Sequence, residues 1–149
     1  KATVAELLGL SDTAKEFSLG TDNPTLLRVA YQTSSDVTKD GISSRVTGRT
    51  FEETFAYENL EWVLSDTHRS RSLLPAQFDH TAASLNDIVE KIHDRVKRSS
   101  FKKTEFALAL MLSSDEWQSP SYIAEGLSWL DAKINPPSVT PVKEQVVVS

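Results

Sequence analysis

Cysteine is absent from the 149 residues, and methionine occurs once, as Met111. Without cysteine there are no disulfide staples, zinc thiolate centres or cysteine nucleophiles, and a reducing interior is the natural fit, so a cytoplasmic location is expected. Long hydrophobic runs are missing too. The longest, Phe106-Ala107-Leu108-Ala109-Leu110-Met111-Leu112, falls far short of the roughly 20 residues that cross a bilayer, and no membrane association is expected. The first residues, Lys1-Ala2-Thr3-Val4-Ala5-Glu6-Leu7-Leu8, lack the sustained apolar stretch of a secretory signal. They begin at Lys rather than Met, which predicts that the chain starts inside a longer protein. Positive charge is in deficit, with a net charge of −5. That balance disfavours a regulatory DNA-binding domain, whose phosphate contacts come from a basic face, but it is compatible with a nuclease whose metal site is built from carboxylates. No glycine-rich phosphate loop, Gly-x-Ser-x-Gly elbow or Gly-Lys-Ser/Thr motif occurs. His68, His80 and His93 stand isolated, with no second histidine at ligand spacing.

What is present reads as one folded domain followed by a tail. A short helix is expected over 2–10, a turn at Asp22-Asn23-Pro24, and then a strand over 26–32, with a helix start at Pro24 as the competing reading. Residues 33–41 read as a polar, mobile loop, and 42–47 as a short strand. From Thr50 the spacing of Phe51, Phe55 and Trp62, widened by Ala56, Leu60 and Val63, predicts a helix with one buried face. Residues 65–80 read as a long connection. Leu85, Ile88, Ile92 and Val96 mark an amphipathic helix over 82–98, ended by Ser99-Ser100. The next helix, over 101–112, is apolar nearly all round and is expected to be buried on most sides. A last amphipathic helix enters at Pro120 or Ser121 and stops at Asn135-Pro136-Pro137. Trp62, Trp117 and Trp129 read as core anchors. The expected class is therefore α/β, predominantly helical, with one or two strands and four to five helices over 1–134, and an extended or disordered tail over 135–149.

Two helix starts carry ionisable groups that packing alone does not require. Arg49-Thr50-Phe51-Glu52-Glu53-Thr54-Phe55 fits a capping box, in which the Thr50 hydroxyl accepts from the Glu53 amide and the Glu53 side chain reaches back to the cap. Glu52 has no such assigned duty. It reads either as a surface acid favoured by the helix dipole or as a site acid. In Lys102-Lys103-Thr104-Glu105-Phe106-Ala107 the lysines stand where the dipole disfavours cations, so a negative partner is expected: Glu105, Asp94, solvent or a nucleic-acid phosphate.

Four segments in order resemble one family: Val29-Ala30-Tyr31-Gln32-Thr33; Gly48-Arg49-Thr50-Phe51-Glu52-Glu53-Thr54-Phe55 with Glu58-Asn59; Lys103-Thr104-Glu105-Phe106-Ala107; and Trp117 with Pro120-Ser121-Tyr122-Ile123-Ala124-Glu125-Gly126-Leu127-Ser128-Trp129-Leu130. Over about 28–130 they resemble the C-terminal end of ATP-dependent endonucleases of the overcoming-lysogenization-defect (OLD) family. The resemblance implies the later half of a Toprim nuclease domain, an α/β unit that cuts DNA by a two-metal mechanism with Mg or Mn. It implies that Glu52 is a metal ligand, that Lys103 stabilises charge on the scissile phosphate, and that Thr50 and Glu53 support the site, with Lys102 and Arg49 as candidate DNA contacts. It further implies a homodimeric parent that reaches DNA through the rest of the Toprim domain, with ATP bound only at an ABC-type ATPase domain outside this chain. The early Glu and the Asp-x-Asp of a Toprim site are absent from these residues, and both are expected upstream of Lys1. The chain alone is therefore expected to cleave nothing. The rival expectation is a non-catalytic helical protein-interaction module, in which Glu52 and Lys103 are a cap residue and a surface charge.

Overall fold

A computed structural model describes residues 15–19, 25–65 and 73–136. The expected helix over 2–10, the Asp22-Asn23-Pro24 turn, part of the connection 65–80 and the tail beyond 136 lie outside the described residues. Within them the order is β1 (Glu16–Leu19), β2 (Thr25–Arg28), β3 (Ser34–Lys39), β4 (Ile42–Thr47), α1 (Phe51–Glu58), α2 (Leu60–Leu64), α3 (Leu85–Lys97), α4 (Lys103–Met111) and α5 (Ser121–Ile134). This is a mixed α/β arrangement with five helices, as expected. The strands number four rather than one or two, and they form two separate antiparallel pairs, β1 with β2 and β3 with β4.

The β3–β4 hairpin corrects the reading of 33–41 as a loop. Asp40 and Gly41 both take positive φ, 50° and 79°, which is the backbone a two-residue hairpin turn needs to match the twist of its strands. The strands are polar because their hydroxyls pair across the ladder. Ser34 Oγ lies 2.8 Å from Thr47 Oγ1, and Thr38 Oγ1 lies 2.7 Å from Ser43 Oγ. Only Val37 and Val46 turn inward to the apolar core. The strand expected over 26–32 begins at Thr25 and ends at Arg28.

The core centres on Phe55, which has no exposed surface. Its ring meets Trp62, Phe106 and Trp117 edge-on, with centroids 5.4, 5.6 and 5.6 Å away. Each such pair adds about 0.5 to 1.5 kcal/mol beyond the area it buries. Around them pack Leu60, Val63, Leu73 and the inward stripe Leu85, Ile88, Ile92 and Val96 of α3. The stripe's spacing of three and four is why α3 forms where the sequence places it. Its first turn is fixed by a capping box: Ser84 Oγ accepts from the Asp87 amide at 3.2 Å, and Asp87 accepts from the Ser84 amide at 3.2 Å.

The first long helix is interrupted at Asn59, which leaves helical geometry and clamps the strand of chain before α5. Its Nδ2 donates to the Phe55 and Gln118 carbonyls at 3.0 and 2.9 Å, and its Oδ1 accepts from the Gln118 amide at 2.6 Å. Glu58 beside it accepts from Ser35 Oγ at 2.9 Å and from the Ser121 amide at 2.7 Å, supplying the acceptor that Pro120 cannot offer at the start of α5.

Helix α4 departs from expectation. Phe106 and Leu110 are buried, but Leu108, Met111 and Leu112 are exposed, so one stripe faces the core and the rest does not. Helix α5 buries no residue fully. It is held to the β1–β2 hairpin by polar links: Glu125 pairs with Lys15 and Arg28, and Trp129 Nε1 donates to Glu16 at 2.7 Å. Trp129 therefore anchors through its indole N–H, whereas Trp62 anchors through packing on the core. Among the described residues no helix is long and apolar enough to cross a membrane.

Gly48, at the exit of β4, marks the closest backbone approach. A Cβ there would fall 2.5 Å from the Thr54 amide nitrogen and collide with the Thr54 hydroxyl. Gly48→Ala is expected to destabilise the protein by about 1 to 3 kcal/mol, the usual cost of overpacking. Urea denaturation checks this, and an unchanged midpoint would contradict the close packing described.

Candidate functional site

The site is built on the first turn of α1. Thr50 is the N-cap, in extended backbone geometry, and its Oγ1 accepts from the Glu53 amide at 3.3 Å. Thr54 adds a second fastening, its hydroxyl donating to the Thr50 carbonyl at 3.0 Å. The Glu53 half of the expected capping box differs. Its carboxylate reaches past Thr50 and accepts from the Arg49 amide at 2.9 Å, while its other oxygen meets His93 Nδ1 at 2.8 Å. Glu53 is 2% exposed, so its charge is neutralised inside the protein rather than by water.

Glu52, one residue earlier, points to another helix. Its Oε2 lies 3.0 Å from Lys103 Nζ, joining the N-terminal turns of α1 and α4. The two groups singled out from sequence are therefore in direct contact. Glu52 is the negative partner that the dipole argument required for Lys103, in place of Glu105 or Asp94. Burial pushes the Glu52 carboxyl up, but hydrogen bonds from Thr50, its own backbone amide and Lys103, with the Lys103 charge, outweigh it. The group ends below its ordinary 4.5. Lys103 keeps 52% of its side chain exposed, so the ion pair is worth little as stability, and the ammonium remains open to an incoming anion.

The remaining expected residues flank this contact. Lys102 is the N-cap of α4 and is exposed. Arg49 is 68% exposed and holds its Nε 3.7 Å from Glu53. Two neighbours have no site role in the sequence analysis, His93, which reads there as isolated, and Tyr122. His93 lies four residues after Val89 and three before Val96, at the margin of the buried stripe of α3, and that spacing was the available signal. Tyr122 on α5 has its phenol pushed up by burial and by the charges of Glu52 and Glu58, so it stands within electrostatic reach of both acids. Tyr57, one turn beyond Glu53, is pushed up to about 12 by burial and the Glu53 charge, against the opposing effect of Arg49.

The residues present do not by themselves fit a pair of hard cations. Mg and Mn favour sites rich in oxygen ligands, and among the described residues no group of three or more His, Asp or Glu converges. Glu52 and Glu53 are adjacent in sequence but diverge in space, each engaged by a base from a different helix. A groove of about 1300 Å³ opens at the opposite end of α1, and among the described residues its charged lining is Asp36, Glu58, Glu61, Asp115 and Glu116. That lining repels phosphate, and neither Glu52 nor Lys103 contributes to it. No family profile, characterised protein or solved structure matches the chain.

The lowered Glu52 carboxyl fixes the sign of a pH effect. A group depressed in the folded state contributes stability above its unfolded value and loses it as pH falls through the folded value. The wild-type advantage over Glu52→Gln is therefore expected to be full above 4.5 and to shrink below it. Urea midpoints measured against pH check this. A difference that stays constant down to about pH 3 would show that Glu52 is not held in the charged form.

Proposed function

We propose that this chain is the later part of a Toprim nuclease domain in an ATP-dependent DNA endonuclease of the OLD family. The observation that carries the reading is the 3.0 Å contact between Glu52 and Lys103, the residues that the family resemblance assigns to metal and phosphate. Two helix starts distant in sequence bring a carboxylate favouring its charged form against a half-exposed ammonium. Thr50 serves both as helix cap and as a hydrogen-bond partner of Glu52.

In this reading Lys103 exchanges its partner when DNA arrives. Its ammonium moves from Glu52 to a non-bridging oxygen of the scissile phosphate, where it offsets the charge that accumulates as water oxygen bonds to phosphorus and the P–O bond to the leaving strand breaks. Glu52, relieved of its counter-charge, would be the anionic oxygen donor that this chain offers to the divalent ion the resemblance implies. Mg or Mn belongs to the reading as what the resemblance implies, and the early Glu and Asp-x-Asp that would complete its coordination belong upstream of Lys1. The proposed parent is a cytoplasmic homodimer, with its ATPase domain and its ATP outside this chain and a role in defence against phage. The chain alone is inactive.

The exposed apolar residues of α4 and α5, among them Leu108, Met111, Leu127 and Ile134, favour a second reading as a helical protein-interaction module. In that case Glu52–Lys103 only joins two helices. The readings separate in the full-length parent. Glu52→Ala and Lys103→Ala are each expected to reduce Mg- or Mn-dependent nicking of supercoiled DNA about 100-fold or more, with ATP hydrolysis unchanged. Normal nicking by both variants would leave only the interaction module.

A further inference from the structure

Glu53 and His93 form a second contact in the same turn of α1, and the nuclease reading makes Glu53 a supporting residue but gives His93 no role. We propose that His93 is a positioning residue for Glu52, acting through Glu53 on the start of α1. For its consequence in cleavage the proposal rests on the reading of Glu52 and Lys103 as nuclease residues.

The chain of contacts is short. A carboxylate can only accept, so at 2.8 Å the ring of His93 donates its Nδ1–H to Glu53 Oε1. The other oxygen of Glu53 accepts from the Arg49 amide at 2.9 Å, and the Glu53 amide donates to Thr50 Oγ1 at 3.3 Å. One side chain from α3 thereby fixes the carboxylate that holds Arg49, in the same first turn of α1 that carries its cap Thr50 and Glu52. Glu53 has 3% of its side chain exposed, so water cannot replace the donor that His93 provides. With His93 removed, Glu53 must turn outward to be solvated. It then abandons the Arg49 amide and loosens the turn that aims Glu52 at Lys103. The arrangement matches the general behaviour of outer residues that orient the groups doing chemistry, whose loss commonly costs 10- to 100-fold in activity.

His93→Leu and His93→Asn separate this from a purely structural role. Asn carries an amide N–H where Nδ1–H stands, whereas Leu carries none. In the 149-residue chain the change that Lys103→Met causes in the amide chemical shift of Glu52 is expected to vanish in the His93→Leu background and to return in the His93→Asn background. An equal effect of Lys103→Met in all three backgrounds would overturn the proposal. Where His93→Leu fails to fold, nitrogen-15 spectra of the wild-type ring decide. A proton on Nδ1 supports the proposal, and a bare Nδ1 overturns it. In the parent, His93→Leu is expected to lower the nicking rate constant about 10- to 100-fold at unchanged KM for DNA, with His93→Asn restoring most of it. A wild-type rate for His93→Leu in a parent that Glu52→Ala inactivates would overturn the positioning role. Normal nicking by Glu52→Ala would instead remove the nuclease reading, and the chemical-shift comparison would still decide whether His93 aims Glu52.

Discussion

Two adjacent carboxylates are taken out of water at the first turn of α1, and the rest of the site follows from the need to satisfy them. Removing the only partner of a buried charge costs several kcal/mol, so each acid requires donors already in place. Backbone amides alone do not suffice, because the first turn of a helix offers few. The fold supplies one base from each of two other helices, His93 from α3 to Glu53 and Lys103 from α4 to Glu52. Both helices are set in place by apolar packing: α3 by the stripe Leu85, Ile88, Ile92 and Val96, and α4 by Phe106 against Phe55. The aromatic cluster around Phe55 thus does for the ion pairs what a rigid frame does for a hinge pin. It holds the helix ends at the separation the charges need.

The two pairs differ in character, and the difference bears on function. Glu53 is enclosed and committed, with both oxygens occupied. Glu52 is nearly as buried, but its partner is half in solvent, so that contact can be exchanged at little cost. A structural tie and an exchangeable contact side by side suit a site in which one acid holds the backbone and the other meets a substrate. Among the described residues the charged lining of the groove at the far end of α1 is acidic, whereas the Lys103 side presents a half-exposed ammonium.

The helical half of this arrangement was legible in the chain. Thr50 with Glu53 announced a helix start, the apolar spacing over 85–96 announced α3, and the dipole argument required an anion for Lys103. The anion's identity was not legible, because Glu105 and Asp94 are nearer in sequence and only the packing of α1 against α4 selects Glu52. His93 reads as isolated in the sequence for a similar reason. Its partner lies on another helix, and its place at the margin of an apolar stripe does not name that partner. Strand β4 stands where the alternation over 42–47 places it, but β3 was not legible because its polarity reads as loop, although Asp40-Gly41 between two β-branched segments is a turn signal. Helix α4 was expected to be buried on most sides, but it offers more apolar surface than the described residues cover.

The central claim is that Glu52 and Lys103 act on a phosphodiester rather than merely on each other. The most direct test exchanges them, with Glu52→Lys and Lys103→Glu combined in the full-length parent, and measures metal-dependent nicking beside folding stability. A purely structural ion pair keeps its mutual attraction on reversal, although the start of α1, which favours an anion, makes the exchanged protein less stable than the wild type. The account predicts that the exchanged protein folds with its α1–α4 contact restored and no longer nicks DNA. Nicking at the wild-type rate by the exchanged protein would contradict it.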